Sequence, residues 1–268
     1  MKAVLAGACV LALAGCSSGR SSDHFAKAVE VAPHLRLWIS CSGKGPAVLA
    51  DNGLAIPTQA WAGVRRDVRR VRFCAFDRAG VGRSDVRGCL CGSLERNVGD
   101  VHALVRAADL ERPLILVGHS TGGLDALLYA RAHRADVSGI VLVDSPSESA
   151  PAPPGPLTDG GTQLDFGLGL RKLRHAHGLG DLPIIVLSHG KRSFSTVAAE
   201  RSWREMQRQL TGDSSNTVHV IALKSRHLIQ VDQPELVAAA VQEMAAVVPS
   251  GDRLRCIPAF RRAGGRCV

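Results

Sequence analysis

A serine between two glycines is the residue with the clearest chemical potential in this sequence. Gly118-His119-Ser120-Thr121-Gly122 fits the pattern G-x-S-x-G. The apolar run 113–117 directly before it is typical of a strand buried on both faces, and residues 124–133 after it are typical of a helix. A serine on such a turn exposes its hydroxyl, and the helix N-terminus favours developing negative charge there. We therefore predict Ser120 as a nucleophile; the alternative is a glycine-rich turn without chemistry.

A serine hydroxyl is a weak nucleophile and needs a general base. Among the ten histidines, His227 is the best candidate, because it follows the predicted strand 218–223 and precedes the closing helix predicted at 234–248. It also comes after Ser120 in the chain. We predict His227 as the base, and the alternative is an ordinary histidine on a surface loop.

Asp144 is the predicted acid that orients this histidine. It ends the predicted strand 139–143, which we expect beside the strand that leads to Ser120. Parallel neighbours lie about 4.8 Å apart, so both residues emerge at the same edge of the sheet. A carboxylate there would hold the His227 imidazole and stabilise its charged form. The alternatives are an Asp144 that only caps the following loop, with Asp213 as the next candidate acid.

Two backbone amides are predicted to stabilise an oxyanion. One is the amide of Thr121, directly after the nucleophile. The other is the amide of Leu54, on the loop after the short strand 47–50, where Gly53 permits a tight turn. Two such donors stabilise a transition state by a few kcal/mol each. These residues imply no metal or organic cofactor. A zinc site in particular is poorly supported, because Cys89-Leu90-Cys91 lacks the usual two-residue spacing of zinc ligands.

The elements around these residues alternate between strands and helices, which predicts an α/β domain over residues 35–250. We expect a mostly parallel central sheet with helices on both faces. Residues 146–180, which are rich in proline and glycine, interrupt this alternation of strands and helices. They predict a short cap insertion with a helix near 164–175. Phe166, Leu168 and Leu170 would either contact an acyl group or pack within the cap itself.

Two further motifs complete a resemblance to the α/β-hydrolase superfamily over about residues 35–248. Residues 76–84, Phe-Asp-Arg-Ala-Gly-Val-Gly-Arg-Ser, resemble the family's D-R-x-G-x-G-x-S segment, and Ser225-Arg226-His227 followed by Gln233-Pro234-Glu235 resembles its G-H and P-E segment. The resemblance implies the α/β-hydrolase fold, the chain order serine, acid, histidine, and serine esterase- or lipase-like chemistry. The sequence departs from the family at Asn52-Gly53, where His-Gly is usual, and after the predicted strand 183–187, where many members carry the acid.

These residues together predict a hydrolase that forms an acyl-enzyme at Ser120. The expected substrates are small-molecule or lipid carboxylic esters. A proline-type aminopeptidase or a thioesterase would use the same residues. The alternative from another class is a non-catalytic binding lipoprotein built on a hydrolase scaffold.

The N-terminus predicts export. Residues 1–15 combine Lys2 with an apolar run too short to span a bilayer, which is a signal-peptide pattern. Leu13-Ala14-Gly15-Cys16 resembles a bacterial lipobox, so we predict lipidation of Cys16, with residues 16–34 as the lipobox cysteine and a flexible tether. The predicted location is the outer face of the cell membrane, and the alternative is plain secretion.

The remaining cysteines and the charge agree with export. An oxidising compartment permits disulfides, and we predict the pairs Cys256–Cys267 and, from neighbouring strands of the expected fold, Cys41–Cys74. The net charge of +9 favours anionic partners such as a membrane surface. Nucleic acid is not expected, because the chain has only one tyrosine and few other aromatic residues to stack on bases. Residues 251–268 are predicted as a solvated basic tail with one disulfide.

Overall fold

One large sheet organises the protein, whose computed structural model describes residues 24–87, 92–175 and 178–268. The strands of the described chain are β1 (His24–Ala32), β2 (Leu35–Ser42), β3 (Ala47–Asp51), β4 (Arg72–Phe76), β5 (Gly92–Ser93), β6 (Leu114–His119), β7 (Val137–Val143), β8 (Leu157–Asp159), β9 (Thr162–Asp165), β10 (Ile184–His189), β11 (Thr217–Ala222) and β12 (Gly265–Cys267). Nine of them form the sheet in the order β1-β2-β4-β3-β6-β7-β10-β11-β12. Pairing is parallel from β4 to β11 and antiparallel at β1–β2, β2–β4 and β11–β12.

Helices cover both faces of this sheet. Those of the described chain are α1 (Ala62–Asp67), α2 (Leu94–Ala107), α3 (Thr121–Ala132), α4 (Gly167–His175), α5 (Val197–Leu210), α6 (Ile229–Asp232), α7 (Pro234–Ser250) and α8 (Pro258–Arg262). Along β6, Leu114 and Leu116 pack with α2, α3 and α4, while Ile115 and Val117 pack with α1, α6, α7 and α8. A strand between two helical layers has no polar face, which explains its unbroken apolar run. The predicted α/β class and mostly parallel sheet are confirmed.

Helix α5 is fixed at its start by a side-chain cap. The Thr196 hydroxyl accepts a hydrogen bond from the Ala199 amide at 3.0 Å, which satisfies one of the free amides of the first turn. The helix buries Met206 and Leu210 against the rest of the protein. Its other inward side chains reach the carboxyl ends of β7 and β10, where the functional site lies.

The N-terminal part of the fold begins earlier than predicted. The tether assigned to residues 16–34 is wrong for His24–Ala32, which form β1 and pair with β2 from His24 opposite Ser42 onward. Val29 is buried, but charged and small residues separate it from the other apolar side chains of the strand. The alternation of apolar and polar residues that predicts a strand is therefore weak here. The predicted signal peptide 1–15, the lipidation of Cys16 and the first residues of the tether lie outside the described residues.

The first residue of β1 lies at one defined end of the sheet's strands. Ser42, the partner of His24, pairs on its other side with Phe73 near the start of β4. The chain therefore joins the domain at the amino ends of the parallel strands. Within the described residues, no helix is both long and apolar enough to cross a bilayer.

The C-terminal residues 251–268 belong to the fold, and their prediction as a solvated tail is wrong. Residues 258–262 form α8, Phe260 is fully buried, and β12 pairs with β11 as the last strand of the sheet. Segments this short contain too few residues for a helical or strand periodicity of apolar residues to be recognised in the sequence. Both predicted disulfides are present, Cys256–Cys267 on this segment and Cys41–Cys74 between β2 and β4. Cys89 and Cys91 lie outside the described residues.

The predicted cap insertion 146–180 contains a small hairpin followed by a helix. Strands β8 and β9 pair antiparallel, and β9 also pairs with β5. The cap helix α4 begins at Gly167, three residues later than predicted, because residues 162–165 form β9. Phe166 and Leu170 are buried, whereas Leu168 is 44% exposed. Leu168 is therefore no part of an internal apolar wall.

Candidate active site

Ser120 lies on a strained turn between β6 and α3. Its backbone has φ 51° and ψ −125°, a conformation that is costly for a residue with a side chain and is kept only where the surroundings enforce it. A Cβ at Gly118 would lie 2.5 Å from the Gly122 carbonyl oxygen, and one at Gly122 would lie 2.6 Å from the Asn52 carbonyl oxygen. Glycines are required at both positions because the backbone passes so closely.

The structure brings Ser120, His227 and Asp144 together. His227 Nε2 lies 3.1 Å from Ser120 Oγ, and His227 Nδ1 lies 2.6 Å from Asp144 Oδ2. Each residue comes from a different loop at the carboxyl edge of the sheet: after β6, after β11 and after β7. Hydrogen bonds thus run without a break from the serine hydroxyl to a buried carboxylate, which is the arrangement a serine nucleophile with a histidine base requires.

The Asp144 carboxylate is ionised at neutral pH. Burial disfavours its charge, but hydrogen bonds from His189 and His227 outweigh that effect and lower the pKa of Asp144 to about 2. Its oxygens accept bonds from other elements and not from the loop that follows it, so the alternative of a simple loop cap does not fit. Asp213, the other candidate acid, lies elsewhere: Arg131 Nη2 donates to it at 2.8 Å, and burial raises the pKa of Asp213 to about 6.

His119 supports the loop that carries the predicted oxyanion donor. The Gly53 amide donates to His119 Nδ1 at 3.2 Å, so the ring proton is on Nε2, which faces the His227 carbonyl at 3.1 Å. Burial lowers the pKa of His119 to about 3, and the ring is neutral. His119 therefore links the loop at 51–54 to the loop that carries His227.

Among the described residues, the Leu54 amide has no hydrogen-bond acceptor, whereas its neighbours do. Gly53 donates to His119, Ala55 donates to Asp159 Oδ1 at 2.6 Å, and Ile56 donates to the Gly53 carbonyl at 3.3 Å. A Cβ on Gly53 would lie 2.9 Å from the Ser120 Cβ, so this loop passes directly beside the nucleophile. The Thr121 amide begins α3 on the other side. The two predicted donors thus flank Ser120.

A buried arginine holds the loop at 51–54 in shape. Arg78 Nη2 donates to the Gly53 carbonyl at 2.7 Å, Nη1 pairs with Asp51 at 2.5 Å, and Nε pairs with Asp159 of β8 at 2.8 Å. Burial disfavours the Arg78 charge, but the two carboxylates outweigh it and raise its pKa. The D-R-x-G-x-G segment therefore ties the loop at 51–54 to the cap.

An apolar cavity of about 400 Å³ opens beside the serine. The cap and helix α5 form its walls, which include Ser120, Phe166, Leu170, Ser202, Trp203 and Met206. Phe166 and Leu170 thus both pack within the cap and line the cavity. Pockets with apolar walls and a few polar groups at one end are typical of small-molecule sites.

Sequence reasoning missed His189, Glu200 and Trp203. His189 ends β10 and contacts Asp144, Glu200 contacts His189, and the Trp203 indole donates to Asp144 Oδ1 at 3.1 Å. One signal was available, since His189 is the last residue of β10, near the position where the resemblance leads one to look for the acid. Nothing in the sequence shows that α5 packs its first turns against this edge.

One cluster among the described residues could offer metal ligands. Ligand atoms of His102, His133 and Asp136 lie within 4.8 Å of one another. The two imidazole rings stack with centroids 4.0 Å apart and planes 8° apart, so their lone pairs run side by side and do not converge. Arg112 lies 4.0 Å from Asp136. The cluster sits at the far end of α3 from Ser120 and is not part of this site.

Comparison with known proteins finds a similarity to a hydrolase family over part of the chain. A family model described as serine aminopeptidase S33 matches residues 69–157, a range that includes Ser120 and Asp144. An uncharacterised protein of Bacillus subtilis (strain 168), YqjL, is 27% identical over 214 residues, covering 75% of this chain and 83% of that protein.

Solved structures of low sequence identity share the architecture. A thermophilic esterase from Thermogutta terrifontis has a TM-score of 0.65 at 19% identity, covering 84% of this chain and 98% of that one. A haloalkane dehalogenase from Agrobacterium tumefaciens C58 also has a TM-score of 0.65, at 18% identity, covering 85% and 98%. These two proteins are named for different reactions but are equally similar in structure. The similarity therefore indicates the fold of this chain and does not indicate its substrate.

Proposed function

We propose that this chain, which has the α/β-hydrolase fold, cleaves carboxylic esters through an acyl-enzyme at Ser120. The hydrogen-bonded series Ser120–His227–Asp144 beside an apolar cavity supports the proposal most strongly. A binding protein would have no need for a strained serine held at 3.1 Å from an imidazole. Peptidase and thioesterase activities use the same residues, and the apolar cavity favours an acyl group over a peptide.

The proposed reaction has two halves. His227 Nε2 takes the Ser120 proton as Oγ attacks the ester carbonyl carbon, and the oxyanion forms between the Thr121 and Leu54 amides. His227 then gives the proton to the departing alkoxide, which leaves an acyl group on Ser120. In the second half His227 activates water, and the acid is released with Ser120 restored. Asp144 stays ionised throughout and stabilises the imidazolium.

The cavity is proposed to bind the acyl chain. Each buried methylene contributes about 0.8 kcal/mol, which is about a fourfold gain in kcat/KM per carbon until the cavity is full. We expect p-nitrophenyl esters to show such a rise with acyl length, followed by a plateau or a fall. Leu170→Trp fills part of the cavity, so its optimum is expected to move to shorter chains.

Leu168→Trp is the matched control for this experiment. It adds the same bulk to the same helix, but at a position that is 44% exposed, and its chain-length profile should stay that of the wild type. A profile that both variants leave unchanged would show that the acyl group lies outside this cavity. The absence of turnover with every ester, and of labelling by a fluorophosphonate, would favour the binding-protein alternative.

The proposed location is the outer face of the cell membrane. The support is the apolar run that ends at Leu13-Ala14-Gly15-Cys16, and a diacylglycerol on Cys16 would supply the two chains that stable anchoring takes. In a bacterial host we expect the wild type in the membrane fraction and Cys16→Ser outside it, with Ser17→Ala as the control that stays membrane-bound. Equal fractionation of all three proteins would rule out the lipid anchor.

A further inference from the structure

His189 lies between two carboxylates behind the site. Its Nδ1 is 2.8 Å from Asp144 Oδ2 and 2.9 Å from Oδ1, and its Nε2 is 2.9 Å from Glu200 Oε1. Its side chain is 1% exposed. The His189 backbone amide also donates to Asp144 Oδ1 at 3.1 Å. Hydrogen bonds thus continue inward from Ser120 for two residues beyond the acid.

The geometry fixes the charge of this ring. An ionised carboxylate can only accept hydrogen bonds, so both ring nitrogens of His189 carry protons and the ring is an imidazolium. Burial opposes the charge, but Asp144 and Glu200 outweigh it and raise the pKa of His189. Burial also opposes the charge of Glu200, yet the bonds that it accepts lower its pKa to about 2. The ring is therefore charged at neutral pH.

Glu200 is itself held by groups on two elements. Arg204, one turn along α5, donates to Glu200 Oε1 at 2.8 Å, and the Ser193 and Phe194 amides donate to Oε2 at 3.1 and 3.3 Å. The Phe194 ring in turn lies 6.1 Å from the His227 ring. Glu200 thus fixes both the charge of His189 and the loop that packs on the base.

We propose that His189, held as an imidazolium by Glu200, positions the Asp144 carboxylate that contacts His227. This inference rests on the proposed function only for its catalytic consequence. His189 and Glu200 are positioning residues, since they act on the serine through Asp144 and His227.

The hydrogen bonds on Asp144 show what the His189 charge contributes. His189 donates to both carboxylate oxygens as a cation, whereas the Trp203 indole donates as a neutral group at 3.1 Å. Hydrogen bonds from charged donors are roughly twice as strong as those between neutral groups. Loss of the His189 charge therefore weakens the hold on Asp144, and with it the orientation of the His227 ring that Asp144 contacts at 2.6 Å.

Glu200→Gln tests this with little change of shape. The amide can donate to His189 Nε2, so the ring can become neutral with its proton on Nδ1, still donating to Asp144. We expect kcat for p-nitrophenyl esters to fall by about tenfold with KM little changed, because Asp144 loses a charge-assisted hydrogen bond. Nitrogen-15 NMR of the histidine rings, assigned with His189→Asn, should show a doubly protonated His189 at neutral pH in the wild type and a neutral one in the variant.

Glu205→Gln is the control. It removes the same charge from the same helix, where Glu205 is 48% exposed and pairs with Arg208, and neither kcat nor the His189 signals should change. The NMR signals of His189 are measured without any substrate. A protein that hydrolyses no ester but shows a charged His189 in the wild type and a neutral one in Glu200→Gln would refute the proposed function alone. A neutral His189 in the wild type, or an unchanged kcat in a folded and active Glu200→Gln protein, would overturn this inference.

Discussion

Replacing Ser120 with alanine is expected to lower the turnover of p-nitrophenyl esters by about 10⁴-fold or more. The variant keeps the cavity, His227 and the oxyanion amides, but no atom remains to form the acyl-enzyme. The fold should tolerate the change, because alanine removes only a hydroxyl from a partly exposed position. Steady-state hydrolysis and the stoichiometry of fluorophosphonate labelling, followed by mass spectrometry, are the measurements.

Ser202→Ala is the matched control for this experiment. Ser202 lines the same cavity, and no atom of His227 is among its hydrogen-bond partners in the described structure. We expect its turnover within a few-fold of the wild type and its labelling unchanged. Retention of full activity in Ser120→Ala would exclude the serine as the nucleophile and would direct attention to a water-based mechanism.

Asp144→Asn is expected to reduce kcat by a factor on the order of 10⁴, by analogy with the loss of the orienting acid in serine proteases. Asparagine presents an amide that can donate toward His227 Nδ1, which stabilises the tautomer with its proton on Nε2. That tautomer cannot accept the Ser120 proton. The change also removes one of the two charges that hold His189 as a cation, so it affects both sides of Asp144.

Asp213→Asn separates the two candidate acids. Asp213 pairs with Arg131 and not with His227, so this variant is expected to keep its turnover and to lose some stability at most. Thermal unfolding of both variants distinguishes a folding defect from a catalytic one. Near wild-type kcat in a folded Asp144→Asn protein would show that another carboxylate serves His227.

The site residues could be predicted where a local pattern and the chain order agree. Gly118, Ser120 and Gly122 are close in sequence, and their turn is dictated by contacts within it and with one neighbouring loop. Asp144 could be placed because a parallel neighbour strand ends at the same edge. His189 could not be assigned a partner, because its function depends on Glu200, eleven residues later, and on how α5 packs. Such tertiary contacts leave no period in the sequence.

The errors at the two ends of the domain have a similar cause. Strand β1 carries Lys27 and Glu30 among its apolar residues, since it lies at the edge of the sheet and is exposed along most of its length. Strand β12 has only three residues, which is too few to show an alternation of apolar and polar side chains. It pairs with β11, and the disulfide Cys256–Cys267 ties it to the preceding segment. A strand that is exposed along most of its length carries few large apolar residues, so the sequence of β1 resembles that of a linker.

The position of β1 determines which way the enzyme faces. His24 enters the sheet at the amino ends of the parallel strands, beside Ser42 and Phe73, whereas Ser120 lies at their carboxyl ends. Anything that holds the protein through residue 23 therefore holds it by the pole opposite to the serine. If the proposed lipid anchor holds the protein through this pole, Ser120 faces away from the bilayer. Esters that diffuse in the surrounding aqueous layer, or that belong to polymers within it, would then meet the serine more readily than lipids of that bilayer.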